Sequence, residues 1–157
     1  MRRILLRAAV AATLLAGTAC SVDKVSAPVP EIAETVFAPD LNVNLAAMTV
    51  TNSGLYIQDL VAGTGAAVAV GQVITVHYTG WLANGTRFDG NVGGTPLTRE
   101  IGVGGLIRGW DEGLIGMKVG GKRRLIVPPA LGYANSPRPG IPANSILVFD
   151  VQLVGVE

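Results

Sequence analysis

The chain has 157 residues, a formal net charge of +1, one cysteine and one histidine. This length suits one domain with additional segments, and the near-neutral charge argues against a partner as strongly charged as nucleic acid. A lone cysteine excludes a disulfide within the chain and a cysteine-based zinc site. No metal or cofactor is expected, and a hydrolase that pairs Cys20 with His77 is not expected either, because Cys20 lies in the leader segment.

Residues 1–20 form this leader segment. Arg2, Arg3 and Arg7 give it a basic start, and the apolar stretch from residue 8 to 17 is about half the roughly 20 residues of a membrane-spanning helix. The pattern predicts a signal peptide. Residues 17–19 before Cys20 resemble a bacterial lipoprotein processing site, although Gly17 stands where leucine is usual, so ordinary cleavage and secretion is the alternative.

The leader thus predicts a location in the bacterial cell envelope, on the periplasmic side. It makes Cys20 the candidate for lipidation, as in an outer-membrane lipoprotein. Residues 21–44 contain three prolines and no sustained periodicity, which predicts a flexible linker. Residues 45–157 are predicted to form the folded domain.

Within the domain, short β-branched or alternating segments predict antiparallel strands. Asn84-Gly85 favours a hairpin turn with positive φ at both residues. Arg123 and its basic neighbours are interpreted as a solvated strand end rather than a phosphate site. The predicted strands are 54–61, 72–82, 86–89, 122–127 and 146–154.

One segment has helical periodicity. Ile107, Trp110, Leu114 and Met117 follow at intervals of three, four and three residues, so they share one face of a short helix. Acidic residues in its first turn favour the helix dipole. Several strands around one helix, without alternating strand–helix units, predict an antiparallel α+β domain.

Most of the aromatic residues fall in these elements or in a long loop. Five of the eight are Tyr78, Phe88, Trp110, Tyr133 and Phe149. Core filling is one interpretation. A functional pocket is the other, because Trp110 begins the helix and because the loop at 128–145 is long and contains five of the nine prolines.

Four segments, VHYTGWLANGTRFD, IRGWDEGLIGMKVGGKRRLIVPP, LGYA and ILVFDVQL, closely resemble the FKBP-type peptidyl-prolyl cis-trans isomerases, a macrolide-binding family. The resemblance extends over residues 53–157. It implies a twisted antiparallel sheet of about five strands wrapped around one short helix. It also implies an apolar pocket that binds proline-containing polypeptides, and macrolides as further ligands.

By this resemblance, Trp110 forms the pocket floor and the Ile107 N–H donates to a substrate carbonyl. Asp89 is either a turn aspartate that caps backbone or a pocket carboxylate that orients Tyr78. His77 is expected to be structural. The remaining catalytic positions are Tyr78, Phe88, Asp89, Tyr133 and Phe149, and the substrate-binding positions are Leu97, Leu106 and Ile141.

The sequence departs from the family pattern around the expected pocket. Leu97 and Arg99 stand where aromatics are common, and Arg138 stands where histidine is common. The segment after Asp89 lacks an arginine that often pairs with that carboxylate. The predicted function is a prolyl isomerase that assists the folding of exported proteins. The alternative is a proline-binding or chaperone module of the same fold with little catalysis.

Overall fold

A computed structural model describes residues 30–157. The predicted signal peptide at 1–20, with Cys20, lies outside the described residues, and so do residues 21–29 of the predicted linker. In the part that is described, no helix is both long and apolar enough to cross a bilayer.

The described residues form one antiparallel sheet and one α-helix. The sheet order is β1-β2-β6-β7-β3-β4, and β5 also pairs with β3. The strands are β1 (Thr49–Val50), β2 (Tyr56–Val61), β3 (Val73–Leu82), β4 (Arg87–Gly90), β5 (Leu97–Glu100), β6 (Lys122–Val127) and β7 (Leu147–Val156), the helix α1 is Arg108–Gly113, and short 3-10 turns occupy Ile32–Glu34, Pro39–Leu41, Leu45–Ala47 and Pro129–Leu131.

The predicted α+β class is confirmed, with seven strands in the described residues instead of about five. The two additional strands are β1 and β5. They contain two and four residues, which is too short for an alternating pattern to be recognised. The turn between β3 and β4 also differs from the expectation. Gly85 has a φ of 86°, whereas Asn84 keeps negative φ and accepts the Thr86 N–H through its side chain at 3.0 Å.

The main core lies between α1 and the sheet. Trp110, Leu114 and Met117 are buried there, as the helical spacing predicts, and Ile107 is the N-cap. The helix approaches β6 closely because Gly109 has no side chain: a Cβ there would lie 2.6 Å from Val127. This close approach holds the first turn of α1, with its indole, against the middle of the sheet.

A second apolar cluster covers the opposite face of the sheet. Ile32 and Leu41 are buried there against Ile126, Ile146 and Val148. The predicted flexible linker over 21–44 therefore does not describe residues 30–44, which pack against the sheet. Their apolar side chains come from isolated 3-10 turns and extended backbone, so they show no helix or strand periodicity. We call residues 30–48 the N-terminal arm.

The expectation of a solvated strand end at the start of β6 is wrong. Arg123 and Arg124 are both buried. Arg123 pairs with Asp59 at 2.7 Å, and Arg124 pairs with Asp150 at 2.6 Å. Arg124 also donates to the carbonyls of Leu41 and Asn42 in the N-terminal arm. The arm therefore shields Arg124 from solvent, whereas Arg123 donates to the Gly113 carbonyl at the end of α1.

Candidate functional site

A pocket of about 430 Å³ opens between α1, the sheet and the long loop after β6. Nine of the ten predicted catalytic and substrate-binding residues line this pocket. The exception is Ile141, which does not line the pocket. The lining consists of Tyr78, Phe88, Asp89, Leu97, Gly105, Leu106, Ile107, Arg108, Trp110, Gly132, Tyr133, Arg138 and Phe149.

Ile141 is only 6% exposed and packs in the main core. Its backbone makes two hydrogen bonds with Arg138, each 2.9 Å long. These bonds form a tight turn that presents Arg138 to the pocket and directs Ile141 away from it. Sequence reasoning noted Arg138 only as a departure from the family pattern, and it did not identify Arg108, Gly105 or Gly132 as lining residues.

The floor of the pocket is the indole of Trp110. It is 3% exposed and is held edge-to-face by Tyr78, with centroids 5.1 Å apart, and by Phe149, with centroids 5.4 Å apart. Such aromatic pairs contribute roughly 0.5–1.5 kcal/mol beyond burial. Its Nε1 is buried and has no hydrogen-bond partner among the described residues. The floor is therefore fixed by packing alone.

One wall depends on a glycine in the middle of β3. Gly80 is paired with Asp89 on β4 and with Phe149 on β7. A Cβ at Gly80 would lie 2.6 Å from the Phe88 ring and 2.9 Å from the Phe149 ring. Because that space is empty, the two rings can meet edge-to-face with centroids 5.6 Å apart.

The polar group of this wall is the carboxylate of Asp89. Its Oδ2 accepts the Tyr78 hydroxyl at 2.7 Å, and its Oδ1 accepts the Gly90 N–H at 2.7 Å. Asp89 thus both caps backbone and orients Tyr78, so the two interpretations left open by the sequence apply together. Burial, and then the hydrogen bond to Asp89, raise the pKa of Tyr78 well above its ordinary value, so its phenol stays protonated and donating.

Two further donors face the pocket without a protein acceptor among the described residues. They are the backbone N–H of Ile107, at the N-cap of α1, and the hydroxyl of Tyr133. Both can donate to carbonyl groups of a bound peptide. His77 lies outside the lining, with Nδ1 3.2 Å from the Asn91 carbonyl oxygen. The described residues contain no group of three or more potential metal ligands.

The arrangement is an apolar, aromatic cleft with a few fixed donors and no nucleophile paired with a base. It is suited to holding a short peptide segment out of water, and not to bond cleavage. These features define a small α+β domain with an open aromatic pocket over an indole floor.

Comparisons with known proteins assign the family. A family profile described as FKBP-type peptidyl-prolyl cis-trans isomerase matches residues 65–154. The "FK506-binding protein" of Neisseria meningitidis serogroup B is 50% identical over 105 residues, which cover 66% of this chain and 96% of that protein. The crystal structure of FkpA from Escherichia coli superposes with a TM-score of 0.67 at 39% identity, covering 75% of this chain and 55% of that one.

The chain belongs to the FKBP-type peptidyl-prolyl cis-trans isomerase family. It is also similar to "FK506-binding protein 4" of Mycosarcoma maydis, with 46% identity over 126 residues and 79% of this chain covered. The chain spans only about a third of that relative's length, 34%.

Proposed function

We propose that the protein is a peptidyl-prolyl cis–trans isomerase whose active site is the pocket over Trp110. The observation that carries this proposal is the open space above an indole fixed by Tyr78 and Phe149. A proline ring is compact, apolar and of a size to rest on that surface. The peptide that contains it would pass between Tyr133 and the wall formed by Phe88.

The reaction requires rotation about an imide bond, and no bond is broken. The barrier of about 20 kcal/mol arises from the loss of amide resonance in the twisted state. Water favours the polar planar amide over the twisted one, so transfer into an apolar pocket removes part of that preference. Catalysis then consists of binding the twisted form more tightly than the planar forms.

The free donors assist this differential binding. The Ile107 N–H and the Tyr133 hydroxyl would each hold a carbonyl flanking the proline, so that the chain on one side of the bond is fixed while the other side turns. The Tyr78–Asp89 pair keeps one wall polar and rigid without supplying an acid or a base. An acid–base catalyst has no role in such a mechanism.

The proposal is tested with a proline-containing tetrapeptide, by measuring cis–trans exchange with and without the protein. Trp110→Leu should abolish most of the acceleration, because the floor is lost. Trp81→Leu is the matched control, since Trp81 packs on the opposite face with the second apolar cluster. A folded Trp110→Leu variant with full activity would contradict the assignment of the pocket.

A proline-binding module with little catalysis is the second candidate. Leu97 lines the pocket where the family pattern has an aromatic, and Arg99 on the same strand is exposed. One wall is therefore smaller and less rigid. Peptide binding at the pocket without any gain in exchange rate would select this candidate. Macrolides are proposed as further ligands of the same pocket.

We also propose that the protein acts on exported polypeptides in a bacterial envelope. The support is the leader at 1–20, with its basic start, apolar stretch and Cys20. The mass of the mature N-terminus, measured on protein from a bacterial host, tests this. A diacylated Cys20 supports a lipoprotein, cleavage without lipid supports a secreted form, and an intact leader contradicts export.

A further inference from the structure

Seven of the eight lysines and arginines in the described residues fall into two groups, and the eighth, Lys118, is exposed and belongs to neither. Three of them form ion pairs with Asp59 or Asp150 on the sheet, and none of these residues lines the pocket. Four arginines have no ion pair with any described carboxylate. The paired residues are Lys122, Arg123 and Arg124, and the unpaired arginines are Arg87, Arg99, Arg108 and Arg138.

Three of the four unpaired arginines lie in the pocket lining or on the strand beside it. Arg108 and Arg138 belong to its lining. Arg99 follows the lining residue Leu97 by two positions on β5, so both side chains project from the same face of the strand. The charge of Arg99 also reaches Tyr78, where it partly offsets the effects of burial and Asp89 that raise the pKa of that phenol.

Acidic groups do not balance these charges. Asp89 is the single carboxylate in the lining, and both its oxygens already accept hydrogen bonds. On α1, Asp111 accepts from the N–H groups of Gly102 and Gly104, and Glu112 accepts from Ser53. These hydrogen bonds hold the carboxylates in place without removing their charge. Within the lining, Asp89 offsets only one of the two charges of Arg108 and Arg138, which leaves an excess of one positive charge.

Arg138 is positioned to contact an acidic side chain of a bound peptide. Its guanidinium carbon lies 5.4 Å from the centroid of the Tyr133 ring, so the group rests on an aromatic face and retains its in-plane donors. A planar guanidinium can donate two parallel hydrogen bonds to a carboxylate. Its position beside Tyr133 puts it next to a proline bound over Trp110.

We propose that Arg99 and Arg138 select substrates in which an aspartate or glutamate is adjacent to the proline. The inference rests on the proposed prolyl-binding function of the pocket and names its substrate class. Both arginines stand where the family pattern has other residues, so the preference belongs to this chain. An uncharged side chain of equal size can accept a hydrogen bond from a guanidinium but lacks the charge that strengthens it.

The test uses the full protein and peptide pairs that contain Glu or Gln immediately before or immediately after proline. We expect kcat/KM to be about three-fold higher for Glu than for Gln in at least one pair at low salt. Added salt should reduce the ratio. Arg99→Gln and Arg138→Gln should bring it close to one. Lys118→Gln is the control, because it removes an exposed positive charge outside the pocket and should keep the ratio.

The outcomes separate this proposal from the general function. If a Leu-Pro peptide is accelerated while Glu and Gln peptides react equally at both positions, the acidic preference is wrong and the isomerase function stands. If no peptide is accelerated, the isomerase function fails. The same Glu and Gln peptides are then compared by NMR titration of the pocket, and equal affinities overturn the preference.

Discussion

Gly80→Ala perturbs the pocket wall without altering any side chain that touches a ligand. The new Cβ would lie 2.6 Å from Cζ and 2.8 Å from Cε2 of Phe88. Carbon atoms in contact prefer about 3.5–4.0 Å, so the Phe88 ring must move by about 1 Å. Overpacking of this kind costs about 1–3 kcal/mol of the free energy of unfolding. Because the ring forms one wall over Trp110, we expect kcat/KM to fall about ten-fold or more.

The assay combines urea denaturation with peptide exchange kinetics. Gly155→Ala is the matched control on β7 of the same sheet, because its Cβ would meet nothing closer than Thr75 at 3.8 Å. The control should change the free energy of unfolding by less than about 1 kcal/mol and should retain full activity. If Gly80→Ala loses stability as expected but keeps wild-type kcat/KM, the position of Phe88 does not matter to the reaction, and the reasoning is refuted.

Three further predictions concern stability. Leu41→Ala should lower the free energy of unfolding by about 2–5 kcal/mol, whereas Val36→Ala, at a residue 91% exposed, should be neutral in the same urea titration. Asp150→Asn leaves the buried Arg124 without its carboxylate and should cost about 3–5 kcal/mol, measured by thermal unfolding; a neutral result would show that the pair is solvated. Tyr78 keeps its proton in the folded state after the unfolded phenol ionises at about pH 10. The stability should therefore fall as the pH rises above that value, and Tyr78→Phe should remove that part of the alkaline slope.

Periodicity was sufficient for the elements that build the site. The intervals from Ile107 to Met117 locate α1, although of these four residues only Trp110 lies within the helix, and alternation identifies β3 and β7. These patterns are local, since the geometry of a helix or strand sets which of its side chains share a face. The identities of the pocket residues came from the family resemblance, because periodicity alone cannot distinguish a pocket aromatic from a core aromatic.

The failures of prediction have two physical causes, which are cover supplied by a distant segment and an irregular local turn. Arg123 and Arg124 were expected in solvent, and they are buried because the N-terminal arm and the end of α1 provide acceptors for their guanidinium groups. Ile141 was expected in the pocket, but the tight turn at Arg138 reverses which of the two side chains faces inward. Neither cover from a distant segment nor an irregular turn leaves a periodic signal in the sequence.

The charge distribution around the pocket is a second feature that emerged only in three dimensions. The sequence shows arginines spread over more than fifty positions, from Arg87 to Arg138. The fold places Arg108 and Arg138 at one opening and Arg99 on the strand beside it, while it pairs the basic residues of β6 with carboxylates elsewhere. A net charge of +1 therefore conceals a local excess of positive charge.

The proposed isomerase function requires that the cleft over Trp110 accelerates rotation about an X-Pro bond. Two-dimensional NMR exchange on a proline-containing peptide measures that rotation directly, at catalytic concentrations of the protein. We predict exchange cross-peaks that build up faster with the wild-type protein and return to the buffer rate with Trp110→Leu. Build-up at the buffer rate in the presence of folded wild-type protein would contradict the account.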